Sequence, residues 1–319
     1  MPAIHPVALD RKAAALRQAL GPTIAAALAD RLVVEVMVNP DGRIWVDKIG
    51  AGQSFTGESL STADAERVLR LLADQAGTVV TREHPHVSAT LPTGERFQGQ
   101  YPPLCSAPAF AIRKRPDVVF TLEDYVASGS MTRTQASALT AAAGARENIL
   151  IVGGTGSGKT TLANAILALP AFVDDRIILI EDTAELQCSA ANQVAMLTKT
   201  TEPPVTMRDL VRSSLRLRPD RIVIGEVRDG SALDILKAWN TGHPGGVATL
   251  HANSAPEALN RLEDLISEVS LTVPHRAIAQ AIDVIVYIAR TPEGRAVRAV
   301  QRVTDWRNGR YALEAIGEM

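Results

Sequence analysis

The chain has 319 residues, with 33 Lys and Arg against 35 Asp and Glu, a net charge of −2, and it is 46% hydrophobic and 21% charged. That length suggests two domains, and the near-neutral balance argues against a nucleic-acid coat or a polybasic membrane binder. Two cysteines, Cys105 and Cys188, cannot build a disulfide framework or a four-thiolate zinc site, and aromatic residues are too few for a base-stacking platform. Met1 to Asp10 lacks the basic-then-apolar pattern of a signal peptide, and no window of about 18 residues is continuously apolar. The expectation is a cytoplasmic protein with small buried thiols, meeting a membrane only peripherally.

Leu16, Leu20, Ile24 and Leu28 are spaced four apart and predict helix over 11–30, broken at Gly21-Pro22. The runs Val33–Val38 and Arg43–Val46 flank Asn39-Pro40-Asp41-Gly42 and predict a hairpin. Ser61 or Thr62 caps a helix whose apolar face holds Val68, Leu71 and Leu72. Val87–Leu91 and Arg96–Tyr101, around Pro92-Thr93-Gly94-Glu95, predict a second hairpin. Residues 1–110 therefore read as a small α+β domain. Pro102, Pro103 and Pro108 mark a loop, and strand-like Phe110-Ala111-Ile112 leads into Arg113-Lys114-Arg115-Pro116. We place a linker at 111–135, with the proline-rich stretch and the cationic cluster forming a flexible joint.

Residues 136–319 change pattern. Apolar strand-like runs at 148–152, 176–180, 221–225, 246–250 and 283–288 alternate with helical segments at 162–169, 206–217, 231–240 and 256–267. Alternation of this kind predicts an α/β domain with a mostly parallel sheet covered on both faces.

The first of these strands runs into Gly153-Gly154-Thr155-Gly156-Ser157-Gly158-Lys159-Thr160-Thr161, a G-x-x-x-x-G-K-T loop between a strand and a helix. Glycines let backbone N–H groups close around phosphate oxygens. Lys159 supplies a point charge to β and γ phosphates, the Thr160 hydroxyl suits Mg²⁺, and Thr161 opens a helix whose dipole favours anions. The cofactors expected are therefore ATP and Mg²⁺.

A P-loop of this kind needs a carboxylate from a neighbouring strand. Arg221-Ile222-Val223-Ile224-Gly225-Glu226 ends in one, with Gly225 where an Asp commonly stands, so Glu226 is the expected base or water-orienting group. Ile177–Ile180 leads to Glu181, and parallel strands deliver their ends to one edge, so Glu181 and Glu226 are expected to converge. His243 and His251 flank one strand too far apart for a zinc pair, and His251 is the candidate sensor of nucleotide state.

At these residues the sequence resembles the secretion and traffic ATPases. The loop at Gly153–Thr161, the acidic stretch Glu181-Asp182-Thr183-Ala184-Glu185, the strand Arg221–Arg228 and the stretch Thr241-Gly242-His243 to Thr249-Leu250-His251-Ala252-Asn253 stand in the order of the Walker A loop, Asp box, Walker B strand and His box of that family. The family's Walker B likewise ends in Gly-Glu. The resemblance implies a RecA-like P-loop domain behind a smaller PAS-like α+β domain ending in the pair Ile112-Arg113. It also implies an ATPase working as a homohexamer with other components of a type IV secretion or conjugation machine, peripheral on the inner membrane, with no direct nucleic-acid binding required. Two cysteines cannot supply the metal module of type II secretion members, and the first domain is short, which favours the conjugal-transfer branch; a pilus-retraction ATPase is the near neighbour. Arg96 and Arg113 are implied to reach the γ-phosphate across a boundary, with Arg228 a third candidate. Two other classes compete. A nucleic-acid-translocating motor would show DNA-stimulated, steeply salt-dependent hydrolysis, and a small-molecule kinase would work as a monomer.

Overall fold

The structure is a computed structural model that describes residues 6–114, 119–199, 202–292 and 294–317. The chain divides into two compact units, Met1–Val118 and Val119–Met319.

The first unit opens with α1 (Pro6–Ala29), in which Gly21 leaves helical geometry at φ 75° just before Pro22. Proline there lacks an N–H and clashes with the preceding turn, so the helix is kinked at the predicted break. Next come β1 (Val33–Val38), β2 (Arg43–Lys48) and β3 (Gly52–Ser59), then α2 (Thr62–Gln75), whose N-cap is Ser61. They are followed by β4 (His86–Thr90), β5 (Arg96–Gln100) and β6 (Ala109–Arg113). The sheet order is β3-β2-β1-β6-β5-β4, with every neighbouring pair antiparallel. Val36, Val38, Phe97, Phe110 and Ile112 pack with Leu16, Leu20 and Ile24 of α1 and Val68, Leu69 and Leu72 of α2. The alternate residues Met37, Trp45, Ala111 and Gln98 stay half-buried on the opposite face, as the period of two requires.

The expected linker at 111–135 is corrected at both ends. Residues 111–113 belong to β6, an interior strand of the sheet, and Pro102, Pro103 and Pro108 lie in a connection closed by the β5–β6 ladder, with Gln100 opposite Ala109. Proline marks a loop, but strand pairing decides whether that loop is a hinge. Lys114, expected in a cationic joint, is buried and donates from Nζ to the Asp30 carbonyl at 2.7 Å. Arg115 and Pro116 of that joint lie outside the described residues. At the other end, α3 (Leu122–Ala127), α4 (Arg133–Gly144) and the turn between them carry Leu122, Tyr125, Met131 and Leu139 into the core of the second unit.

The second unit continues with β7 (Ile149–Val152), α5 (Lys159–Leu167), β8 (Ile177–Glu181), β9 (Gln193–Leu197), α6 (Met207–Ser214), β10 (Arg221–Val227) and α7 (Ala232–Asn240). It closes with β11 (Val247–Leu250), α8 (Ala255–Ser267), α9 (His275–Ala281), β12 (Val284–Thr291), β13 (Gly294–Arg307) and β14 (Arg310–Ala315). The sheet runs β14-β13-β12-β7-β11-β10-β8-β9, parallel from β12 to β9 and antiparallel across β12-β13-β14. Its central strands are apolar on both faces. Leu150, Ile178, Ile180, Ile222 and Ile224 feed one core with α6 to α9. Ile149, Ile151, Ile177, Leu179 and Val223 feed another with α3, α4 and α5. This accounts for the unbroken aliphatic runs, since a strand buried on both sides has no polar alternate positions. From β7 the chain crosses through α5 to β8, on the far side of β11 and β10, so β7 ends at the crevice where connections diverge.

Candidate functional site

The glycine loop fills that crevice. It leaves β7 at Gly153 and enters α5 at Lys159, with Gly156 at φ 70° and Gly158 at φ 97°. Both values lie in the left-handed region that favours glycine. The Lys159 Nζ donates to the loop's own carbonyls, to Gly153 O at 2.9 Å and Gly154 O at 3.0 Å. An ammonium folded back on its loop this way is placed to donate to anionic oxygens instead. Ser157 Oγ is buried without a hydrogen-bond partner, a polar atom the loop leaves unsatisfied. Gly154, Lys159 and Thr160 are partly exposed while Thr155 and Gly156 are open to solvent, and Thr161 continues α5. The donor set and the cradle fit a polyphosphate.

Glu181 ends β8 and is 3% exposed. Its Oε1 accepts the backbone N–H of Glu185 at 2.9 Å and of Leu186 at 2.8 Å, folding the acidic stretch back on the strand end. Asn164 holds the same stretch from the P-loop helix. Its Nδ2 donates to Glu185 O at 3.1 Å and its Oδ1 accepts Gln187 N–H at 2.9 Å. Glycine at 225 now has a physical reason. A Cβ there would stand 2.9 Å from Glu181 Cγ and 3.3 Å from its Oε1, so the Glu181 side chain takes up the space an Asp would need. Thr249 of β11 donates to Gly225 O at 2.6 Å, and the β10–β11 register shifts between Ile224 and Val227.

Glu226, half-buried, faces Arg228. The guanidinium donates from Nε to Glu226 Oε2 at 2.8 Å, and Nη2 bonds the same oxygen. Arg228 Nη1 also reaches Asp182 Oδ2 at 3.4 Å. Burial works against the arginine's charge. The Glu226 hydrogen bond and the attraction of Glu226, Asp182 and Glu185 outweigh it and hold the guanidinium above its ordinary pKa.

His251 is exposed just beyond β11, on the edge where β7, β10 and β8 also end. His243 stands before β11, with Nδ1 3.0 Å from Pro219 O at the other end of the sheet. Arg96 and Arg113 lie in the first unit, opposite each other across β5 and β6 and both exposed. The structure thus brings Lys159, Thr160, Glu181, Glu226, Arg228 and His251 to one edge of the second unit, and pairs Arg96 with Arg113 in the first. Each cysteine is free and half-buried, and burial raises the pKa of the Cys188 thiol. No helix among the described residues is long and apolar enough to cross a membrane.

Two residues of the site escape sequence reasoning. Asn164 carried a signal, a polar side chain among Ala163, Ala165 and Ile166 on a buried helix, which must find partners. Arg295 of β13 carried none. It donates from Nε to Gly156 O at 3.1 Å across a long sequence separation.

Comparison with known proteins agrees with this geometry. The family described as type II/IV secretion system protein matches residues 18–309. A probable conjugal transfer protein TrbB of Sinorhizobium fredii is 48% identical over 303 residues, covering 94% of this chain and 92% of the relative. The type IV secretion system protein VirB11 of Bartonella quintana is 31% identical over 284 residues, covering 77% and 79%. Among solved structures, the Legionella pneumophila ATPase DotB superposes with a TM-score of 0.61 at 19% identity, covering 97% of this chain and 84% of that one, which is a likeness of fold. With its glycine loop, acidic strand ends and conjugal-transfer relatives, the chain belongs to the type II/IV secretion family of ATPases.

Proposed function

We propose that this protein is an ATP-hydrolysing motor of a type IV secretion or conjugative-transfer machine, working as a homohexamer on the cytoplasmic face of the inner membrane. One observation carries the reading: Lys159 is folded onto the Gly153 and Gly154 carbonyls at the sheet edge that also presents Glu181 and Glu226. In it, the second unit is a RecA-like motor domain and the first a PAS-like domain.

The loop Gly153 to Thr161, through the amides it does not spend on its own carbonyls, and the Lys159 ammonium hold the β and γ phosphates of ATP. Thr160 Oγ1 is the protein ligand for Mg²⁺, which when bound neutralises phosphate charge. Glu226 takes up the proton of the attacking water, and Arg228 restrains that carboxylate until it is needed. Glu181, committed to the Glu185 and Leu186 amides, acts by holding the acidic stretch in place. His251 reports the occupied state from the neighbouring strand end. Arg96 and Arg113, side by side on one sheet, bring positive charge to the γ-phosphate across a subunit or domain boundary. The conjugal-transfer relatives supply the partners, the other proteins of a mating or secretion apparatus. A retraction-type motor is the alternative in the same family.

The test joins chemistry to assembly. Lys159→Ala should lower ATP turnover by at least about a thousandfold, the scale of lost electrostatic stabilisation at such sites, while the circular dichroism of the folded protein is kept. Mass measurement with Mg²⁺ and a non-hydrolysable ATP analogue should show six subunits. Near-normal turnover of Lys159→Ala, or full activity as a monomer at every dilution, would overturn the reading and favour a small-molecule kinase.

A further inference from the structure

The hairpin of β12 and β13 lies against the P-loop. A Cβ on Gly153 would stand 2.3 Å from Ile288 O and 2.5 Å from Ser157 Oγ. At Gly158 a Cβ would stand 3.0 Å from Arg295 Cδ and 3.7 Å from Ile288 Cδ1. Two glycines of the loop are therefore small because this hairpin packs on them, as well as for the sake of phosphate.

Arg295 makes the polar contact. Its register partner across the hairpin is Arg290, and its Nε donates to Gly156 O at 3.1 Å. The other side of the same peptide is also held, since Ser157 N–H donates to Gly154 O at 3.3 Å. A peptide fixed at both its C=O and its N–H cannot rotate freely. This one joins Gly156, at φ 70°, to a segment ending in Gly158, at φ 97°. Glycines in that region flip easily without such a restraint, and an anion-binding nest works only while its amides stay convergent. The strand bearing Arg295 is itself anchored two residues on, where Val297 N–H donates to Ser130 O at 2.7 Å. Ser130 lies between α3 and α4. The restraint is thus built on the frame of the second unit.

We propose that Arg295 is a positioning residue of the nucleotide site, holding the P-loop in its anion-accepting shape through the Gly156 carbonyl and thereby setting nucleotide affinity. This rests on the P-loop reading above. It assigns a role to the antiparallel extension of the sheet, which carries none of the motifs. Because Arg295 acts on the resting shape of the loop, it works in the ground state and leaves the chemical step alone.

The experiment uses the full chain and two kinds of readout. In nucleotide-free protein, Arg295→Ala should speed amide hydrogen exchange across residues 154–158 and leave the rest of the second unit unchanged. Titration with ADP and Mg²⁺ should show affinity weakened about tenfold, the scale of one lost charge-assisted hydrogen bond. The KM for ATP should rise in proportion, while kcat at saturation stays within about twofold. Arg295→Lys, which keeps a cationic donor, should recover most of the loss. Should the alanine chain fail to fold, Arg295→Met keeps the stem over Gly158, removes the donor and carries the same expectations. Unchanged exchange with unchanged ADP affinity would overturn the proposal, as would a fall in kcat with KM unmoved. If the wild-type chain itself bound no ADP, the nucleotide reading would fail, and exchange in the free protein would still decide whether Arg295 restrains the loop.

Discussion

The two ends of β10 belong to one strand and behave as opposites. At its start, Arg221 is 2% exposed and every part of its guanidinium is committed. Nε donates to Asp175 Oδ2 at 2.6 Å, Nη1 to Ala143 O at 3.1 Å and Gly245 O at 3.3 Å, and Nη2 to Ala171 O at 2.9 Å. The group also stacks over the Phe172 ring at 4.3 Å. Nearby, Asn148 accepts the N–H groups of Gly245 and Gly246 and donates to Ala281 O, tying three connections together. At the far end of the same strand, Glu226 holds a single exposed arginine two residues away, and Lys159 rests on carbonyls of its own loop. The lesson is one of partners. A charge whose partners are all buried backbone and side chains fixes the fold. A charge held by one exposed side chain, as Glu226 is, or folded onto carbonyls of its own loop, as Lys159 is, can exchange that partner for a ligand.

The largest separation of the two ends should come from Arg221→Leu. It takes from buried Asp175 one of its two arginine partners, leaving only Arg146 on Oδ1, and breaking such a buried pair costs about 3 kcal/mol. Denaturant unfolding should show that loss, while the turnover of the molecules that remain folded stays close to wild type. The double change Arg221→Leu with Asp175→Leu should recover much of the stability. If Arg221→Leu left stability intact and removed activity, the division between a structural and a chemical edge would be wrong.

At the other end, Glu226→Gln should leave the unfolding midpoint unchanged and lower kcat about 100-fold, the low end of general-base effects. Glu181→Gln should do the reverse in kind. The amide still offers an oxygen to the Glu185 and Leu186 N–H groups, so the kcat loss is milder, and the weaker acceptor costs about 1 kcal/mol of stability. A larger kcat loss in Glu181→Gln than in Glu226→Gln would exchange their roles.

The smallest effect concerns pH. Burial raises the Asp283 pKa, and Glu147 raises it further, while the Asn148 N–H and Arg302 oppose the shift. Its folded pKa lies above the unfolded one, so the native state binds the extra proton. Stability from this group is present below the ordinary carboxylate range and is lost as pH rises through the raised value. Asp283→Asn should flatten that slope in unfolding measured just above pH 4 and leave kcat at pH 7 unaltered. An unchanged slope would remove Asp283 from the set of groups that tune the structural edge.

What could be read from the chain followed the range of each interaction. The kink at Gly21-Pro22 and the cap at Ser61 are local and were legible. The strands β13 and β14 gave no clear apolar period, because their ladders shift register between Tyr287 and Ile288 and between Val303 and Asp305 and so break the alternation. The prolines at 102, 103 and 108 mark a loop in any context, and only the pairing of β5 with β6 made that loop part of a sheet. α3 was lost in the supposed linker because six residues of helix carry too little periodicity to be seen alone.

The sequence by itself determined the phosphate loop, the aliphatic strands and the acidic residues that follow them. A nest is made of consecutive amides, and a strand buried on both faces shows its burial residue by residue. Tertiary structure alone decided that Glu181 occupies the space beside Gly225 and that Arg295 reaches Gly156 from the last hairpin. Each of those contacts depends on strand order or on a side-chain direction across strands. Strand order arises from how distant segments exclude water together, and no local run of residues encodes it.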